Sequence, residues 1–256
     1  MIIDSLIHPT LDGRWTKDRA GLGFDGVDAL LRSGNIAGAC AVGLPRVGGY
    51  GHEAFMQSAL RVDGLQPVAA LTNPNAAGWR QELAQVSDLG YRAVKFHPRL
   101  LGLNNEPGAI EEFLPEASRA DLIVFYCTYS AASAAALPTS DPLWALVRAI
   151  RQTPTARLVL VHGGVHRLLE YSEMFRHCPN VLIDLSFTMM TLRDSPVQTS
   201  IRHALRTLDQ RLCIGSDAPD LDFGDWVSQT KLLATEVDAN RWANISGANI
   251  ARWMWD

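Results

Sequence analysis

The sequence lacks a disulfide pattern, a long apolar run and a leader-like first segment, and each absence excludes a class of protein. Its 4 cysteines lie far apart and form no Cys-x-x-Cys pair, so we expect them to be reduced. No stretch of about 18 uncharged apolar residues is present to span a bilayer. The first residues, Met1 to Asp4, carry neither the basic nor the apolar part of a secretory signal. These features predict a cytoplasmic protein.

The sequence also lacks a large excess of charge of either sign. The chain of 256 residues mixes 27 acidic with 23 basic side chains and has a formal net charge of −4. It contains no basic run of the kind that nucleic acid or an anionic membrane surface requires, so we expect neither as a partner. With 47% hydrophobic and 20% charged residues, the composition is typical of a globular protein with a sizeable core.

Eight short apolar segments recur along the chain and alternate with amphipathic stretches. The segments are Ile2 to His8, Ile36 to Leu44, Gln66 to Leu71, Ala93 to His97, Leu122 to Cys127, Leu158 to His162, Val181 to Leu185 and Leu212 to Gly215. They are apolar throughout, as strands of a parallel sheet are when both faces are buried. The stretches between them have the apolar spacing of helices with one buried stripe.

Eight strand and helix units can close into a barrel or lie open as a doubly wound sheet. Their nearly even spacing favours closure, and no Gly-x-Gly-x-x-Gly turn follows the first segment. We therefore predict an α/β protein, a (β/α)8 TIM barrel that forms a single domain over residues 1–256. Three longer connections, residues 9–24, 129–141 and 187–199, follow strands and could form substrate walls or lids.

Polar side chains stand where several of the predicted strands end. They are His8, Lys95, His97, His162 and Asp217. Because the carboxyl ends of all barrel strands meet at one mouth, these residues are expected to converge there. Each also has a structural explanation: a histidine can be a hydrogen-bonded packing residue, Asp217 can cap a turn, and Lys95 can neutralise Asp217 or Asp4. Together they predict a site, since a buried lysine is costly without a function.

Several segments resemble motifs of the amidohydrolase-related (amidohydrolase 2) family of metal-dependent hydrolases and decarboxylases, which have (β/α)8 folds. Ile2 to His8 resembles the family's opening strand, Ile-Asp-x-His-x-His, and Ala93 to Pro98 resembles its Gly-Val-Lys-x-x-Pro strand. Leu158 to Gly164 is similar to the sixth strand. Arg211 to Pro219 is similar to the eighth, which is the most specific motif, and Ile245 to Arg252 to the closing helix. The resemblance spans nearly the whole chain.

In such families two histidines of the opening strand, one on the fifth strand and the eighth-strand aspartate bind a divalent metal, while the sixth-strand histidine transfers protons. Here Leu6 replaces the first histidine, and Tyr126 or Cys127 stands where the fifth-strand histidine is expected. Of the family's ligand set only His8 and Asp217 remain. A catalytic zinc normally keeps three protein ligands, so the resemblance implies a site without its usual metal.

Three substitutes could still restore a metal site. Cys127 could supply a thiolate, a carboxylated Lys95 could bridge to the ion, or His97 could move in. We therefore expect no cofactor, with a divalent metal such as zinc bound by His8, Asp217 and a substitute ligand as the alternative.

The resemblance and the convergent residues together predict a hydrolase acting on a small carbonyl substrate, which is a lactone, an ester or an amide. Asp217 would be the general base and His162 would share proton transfer, while Lys95, His8 and His97 polarise the carbonyl. Metal-free lactonases are known in the wider family. The expected substrate-binding residues are Arg99, Arg193 and Tyr126.

Two other functions are compatible with the sequence. One is a metal-dependent hydrolase or decarboxylase that uses a substitute ligand, and the other is a barrel that binds a ligand without catalysis. The C-terminal aromatics Trp253 and Trp255 could mark a subunit contact, so a homo-oligomer is possible.

Overall fold

A computed structural model describes residues 1–16, 19–129 and 140–256. Its strands are β1 (Ile3–Ile7), β2 (Pro9–Thr10), β3 (Arg14–Thr16), β4 (Arg19–Ala20), β5 (Leu22–Gly23), β6 (Gly38–Val42), β7 (Leu65–Ala70), β8 (Ala93–Phe96), β9 (Ile123–Cys127), β10 (Leu158–Val161), β11 (Val181–Asp184) and β12 (Leu212–Cys213). Its helices are α1 (Phe24–Gly34), α2 (His52–Ala59), α3 (Ala76–Asp88), α4 (Pro98–Leu101), α5 (Ala109–Arg119), α6 (Pro142–Gln152), α7 (Leu168–Phe175), α8 (Ser186–Thr191), α9 (Val197–Thr207), α10 (Phe223–Ala234), α11 (Ala239–Ala243) and α12 (Asn249–Met254). In these described ranges, no helix combines the length and apolar character that a bilayer crossing requires.

Eight parallel strands form the central sheet in the order β1, β6, β7, β8, β9, β10, β11, β12. Backbone hydrogen bonds join its two ends: Ser5 N–H donates to Ile214 O at 2.9 Å, and His8 N–H donates to Ala218 O at 2.8 Å. The sheet is thereby a barrel with helices between its strands, and the predicted (β/α)8 class is confirmed. Every predicted apolar segment overlaps one of these strands, because burial on both faces leaves little room for polar residues within them.

An apolar cluster, called the inner cluster below, fills the lower part of the barrel. Its members are Ile3, Leu6, Cys40, Val42, Val68, Ala93, Ile123, Phe125, Val159, Val161, Leu182, Cys213, Ile250 and Met254. The last two belong to α12, and Ser246 Oγ donates to Met1 O at 3.2 Å. The C-terminal helix therefore covers the end of the barrel where the strands begin, and the opposite end stays open for a site.

The connections at the open end contain small elements that the hydrophobic periodicity did not predict. After β1 the chain forms the antiparallel pair β3 and β4, and β2 pairs with β5. The short helices α4 and α8 follow β8 and β11 directly. Of the three longer connections, residues 17–18 of the first and 130–139 of the second lie outside the described residues.

Candidate active site

A cavity of about 300 Å³ opens at the carboxyl ends of the strands. Its lining consists of His8, Trp15, Leu44, Val47, Lys95, His97, Arg99, Leu100, Tyr129, His162, Phe187, Asp217 and Asp220. All five residues that the strand ends predicted are in this set, together with Arg99. They come from four separate parts of the sequence, around residues 8, 95–99, 162 and 217, so the barrel topology is what brings them together.

Two of the predicted substrate-binding residues lie elsewhere. Tyr126 is buried in the layer between sheet and helices, where its ring stacks on Phe96 with centroids 5.7 Å apart. Arg193 is exposed beyond α8, and its nearest carboxylate is that of Asp194 at 3.6 Å. Neither side chain lines the cavity.

His162 and Asp217 share a backbone feature that is rare for residues with side chains. Their φ angles are 68° and 58°, in the left-handed region, which costs a non-glycine residue about 1–2 kcal/mol. Hydrogen bonds to other parts of the chain hold both: Thr188 Oγ1 donates to His162 O at 2.6 Å, and Asp217 N–H donates to Leu6 O at 2.9 Å. Strained backbone of this kind persists where the surroundings fix it, and it is concentrated at functional sites.

His8 links the wall of the barrel to Asp217. Its Nδ1 lies 2.7 Å from Val42 O, which can only accept a hydrogen bond, so this nitrogen carries a proton. Its Nε2 lies 3.3 Å from Asp217 Oδ1. A carboxylate oxygen also accepts, so the second nitrogen of His8 donates to Asp217. Both ring nitrogens of His8 are thus engaged.

Asp217 is a buried carboxylate surrounded by basic side chains. Burial alone disfavours its ionised form, but His162, the hydrogen bond from His8 and the charges of His8 and Lys95 outweigh it and lower the pKa of Asp217 to about 2. The carboxylate is therefore ionised at any pH near neutrality and can accept a proton.

The other two histidines are kept neutral. Burial, together with the nearby charges of Lys95 and Arg99, lowers the pKa of His162 to about 3 although Asp217 acts in the opposite direction. Burial and the same cations lower the pKa of His97 well below its usual range. His97 Nδ1 accepts from Leu100 N–H at 3.4 Å, so its single hydrogen is on Nε2 and can be donated into the cavity.

Lys95 is 1% exposed, and no hydrogen bond or ion pair of its amine is found among the described residues. Burial lowers the pKa of Lys95, while the fields of Cys127, Asp217 and Asp184 act to raise it. The cavity therefore contains an amine that no group of residues 1–16, 19–129 and 140–256 neutralises by direct contact.

Arg99 offers a second unpaired cation. Its Nε is buried without a hydrogen-bond partner in the described part of the chain, and its guanidinium lies over the ring of Tyr129 at 5.4 Å. A buried guanidinium nitrogen without an acceptor is costly, and a ligand carboxylate would satisfy it.

A flap formed by β3 and β4 covers one side of the cavity. Its Trp15 ring lies 5.6 Å from the ring of His8, and Trp15 Nε1 donates to Asp220 Oδ1 at 3.3 Å. Arg19 donates to the same oxygen at 3.0 Å. On the other side, Tyr129 and Phe187 pack together with ring centroids 4.9 Å apart. The cavity therefore has an aromatic wall on each side.

The residues present do not fit a bound metal ion. No group of three or more histidine, cysteine, aspartate and glutamate side chains with suitable geometry is found in residues 1–16, 19–129 and 140–256. Leu6 belongs to the inner cluster, and His8 and Asp217 bond to each other directly. Burial raises the pKa of Cys127, which favours the thiol over the thiolate that a metal binds.

The amidohydrolase family model (Amidohydro_2) matches residues 20–256. The chain belongs to the amidohydrolase family. Membership of this family identifies the protein as an amidohydrolase-like hydrolase. Comparison with curated proteins gives no match.

Solved structures of low sequence identity share the barrel fold. An uncharacterised TIM-barrel protein from Bordetella bronchiseptica is 16% identical with a TM-score of 0.77, covering 99% of this chain and 98% of that one. A probable 2-pyrone-4,6-dicarboxylic acid hydrolase from Acinetobacter baumannii, with citric acid bound, is 18% identical with a TM-score of 0.66 and coverages of 100% and 99%. IDCase from Metarhizium anisopliae is 14% identical with a TM-score of 0.62 and coverages of 91% and 79%. At such identities these structures support the fold.

Sequence reasoning missed most of the walls of the cavity. Trp15, Tyr129 and Phe187 all lie in the three connections expected to form walls, but nothing in their spacing separates them from other residues of those connections. Asp184 and Ser186, described below, were also missed. A signal for Asp184 was present, since it is the one charged residue of the predicted strand segment Val181 to Leu185 and stands next to its end.

Proposed function

We propose that this amidohydrolase hydrolyses a small carbonyl compound that carries a carboxylate, such as a lactone, without a metal ion. One observation carries the proposal: an ionised carboxylate, Asp217, shares a cavity with the cations Lys95 and Arg99, and the described part of the chain gives these cations no anionic partner and forms no metal-binding set there. A base next to cations that can receive a developing negative charge is what hydrolysis of an activated carbonyl requires.

The reaction begins with a water molecule held by Asp217. Its oxygen attacks the carbonyl carbon while one of its protons passes to the Asp217 carboxylate. The negative charge that develops on the carbonyl oxygen is received by the amine of Lys95 and the Nε2–H of His97. Asp217 then returns the proton to the leaving oxygen, and the ring of a lactone opens to a hydroxy acid.

His8 has a different role from the polarisation of the carbonyl that the sequence suggested. Because both of its nitrogens are engaged, with Val42 O and Asp217, no hydrogen remains for a carbonyl oxygen. Its part in the proposed reaction is to orient the Asp217 carboxylate and to stabilise its charge.

The substrate class is inferred from Arg99 and from the aromatic walls of the cavity. Arg99 would bind a carboxylate, and the aromatic walls formed by Trp15 on one side and by Tyr129 and Phe187 on the other favour a flat molecule. The name of the Acinetobacter baumannii neighbour specifies a 2-pyrone dicarboxylic acid, and a 2-pyrone is a flat cyclic ester. This agreement supports a carboxylated lactone as the first compound to test.

A substrate panel with and without a chelator tests the proposal. Carboxylated lactones, esters and amides are assayed with the purified protein, and we expect lactone turnover that neither a chelator nor added zinc changes by more than about twofold, because no step requires an ion. Elemental analysis of the same preparation is expected to give less than one metal per chain. Loss of turnover with chelator, restored by zinc, would instead establish a metal-dependent hydrolase or decarboxylase.

The pH dependence should reflect the lowered pKa values. Asp217 must be unprotonated to accept a proton from water, and His162 must be unprotonated to accept a hydrogen bond, and their pKa values of about 2 and 3 lie below the ordinary values of 3.8 and 6.5. We therefore expect kcat/KM to stay level from neutral pH down to about pH 4 and to fall only below it. Circular dichroism at each pH provides the control for folding. An acid limb near pH 6 would show that His162 is not held neutral.

A further inference from the structure

Ser186 lies between His162 and a buried carboxylate. Its Oγ is 2.9 Å from His162 Nδ1, and it is also hydrogen-bonded to Asp184 Oδ2. Both Ser186 and Asp184 are fully buried beside the site, with 0% and 1% of their surfaces exposed. A hydroxyl has one hydrogen, so it can donate to only one of these two neighbours and must accept from the other if the other has a proton to give.

The surroundings of Asp184 decide where the hydroxyl hydrogen goes. Its Oδ1 accepts from Ser5 Oγ at 2.6 Å and from Ser186 N–H at 3.3 Å, and its Oδ2 accepts from His162 N–H at 3.2 Å. The two backbone groups can only donate. With donors on both oxygens, the carboxyl acts as an acceptor on every side, so the Ser186 hydroxyl donates to it and presents a lone pair to His162 Nδ1.

We propose that Ser186, oriented by Asp184, is a positioning residue that fixes His162 as the tautomer with its hydrogen on Nδ1 and an accepting lone pair on Nε2. The low pKa of His162 supports a ring with a single hydrogen. Because Nδ1 holds that hydrogen, Nε2, the nitrogen left to the cavity, can only accept. The strained turn at His162 is held by the same carboxylate, through the His162 N–H.

The consequence for catalysis rests on the proposed function. Asp217 and His162 Nε2 are then two acceptors in one cavity, and a water molecule can donate one hydrogen to each. Its lone pair is thereby directed away from both and toward a carbonyl carbon whose oxygen lies by the donors Lys95 and His97. The opposite tautomer would place an N–H against the water and turn its lone pair toward His162.

The tautomer can be measured directly, without substrate. Long-range proton–nitrogen NMR of the 15N-labelled protein at pH 7, with the His162 signals assigned through His162→Gln, is expected to show a hydrogen on Nδ1. In Ser186→Ala the acceptor is lost, and the ring is expected to shift largely to the Nε2–H form. Ser186→Thr keeps a hydroxyl and should keep the wild-type pattern.

Kinetics and a matched variant separate this role from a structural one. If lactone turnover is found, Ser186→Ala should lower kcat about 10- to 100-fold with KM nearly unchanged, and Ser186→Thr should recover most of it. Ser5→Ala removes another donor to Asp184 that does not touch His162, so the tautomer should stay as in the wild type. An Nε2–H ring in the wild-type protein, or an unchanged ring in folded Ser186→Ala, would overturn the proposal. If the expected Nδ1–H tautomer is found but the protein hydrolyses no compound of the panel, the proposed function is refuted while the role of Ser186 stands.

Discussion

Replacing Asp217 by asparagine is expected to lower kcat by about 10² to 10⁴, the usual effect of losing a general base. The amide keeps the shape of the side chain, and its oxygen can still accept from His8 Nε2, but it cannot take a proton from water. The thermal unfolding midpoint should change little. The measurement is steady-state kinetics on the best compound of the lactone panel, with thermal unfolding of both proteins.

Asp220→Asn is the matched control for this variant. Asp220 also lines the cavity, but its Oδ1 accepts from Trp15 and Arg19 and it is more exposed than Asp217. Its replacement should change kcat only a few-fold, since an amide oxygen can still accept both hydrogen bonds. Equal rates for Asp217→Asn and the wild type would mean that Asp217 is a structural residue of the turn after β12, and the function would then be sought in binding.

Lys95→Met is expected to have opposite effects on activity and on stability. Removing a donor to the developing oxyanion should lower kcat/KM by about 10² to 10³. At the same time a buried amine with no direct partner among the described residues is replaced by an apolar side chain of similar length. The free energy of unfolding should rise by about 1–4 kcal/mol, the range found when buried charges are replaced by packed apolar groups.

Urea unfolding followed by circular dichroism measures the stability change, and kinetics on the same preparations measure the activity. Lys231→Met is the control, because Lys231 lies exposed on α10 and its removal should change the free energy of unfolding by less than about 0.5 kcal/mol. A Lys95→Met protein that is both inactive and less stable would show that Lys95 is a structural partner of nearby carboxylates rather than a group kept for catalysis.

The fold and the positions of the main site residues could be predicted from the sequence because both depend on burial. Apolar segments mark the strands, and a polar residue at the end of such a segment must lie at the mouth or be buried at a cost. His8, Lys95 and Asp217 are visible for this reason. The topology then brings them together without any detail of loop structure.

The choice between the two faces of a strand could not be predicted. β9 is buried throughout, so its sequence Ile123–Cys127 shows no alternation of polar and apolar residues that would mark the inner face. In the structure Phe125 belongs to the inner cluster and Tyr126 packs outside, against Phe96. Three positions farther on, Tyr129 lines the cavity instead. Arg193 was misplaced for another reason, since a loop has no periodicity from which its direction can be inferred.

The inner cluster also shapes the electric field above it. The cluster itself is hydrocarbon, a medium of low permittivity that polarises little in response to charge. The electrostatic field of the buried cations is therefore screened little by this part of the protein and extends out through the open mouth of the barrel. An anion approaching the mouth is attracted by this field before it contacts the protein. A leucine at position 6 thus takes the place of a ligand in the metal set that the family resemblance implies, and adds an apolar side chain to this region of low permittivity.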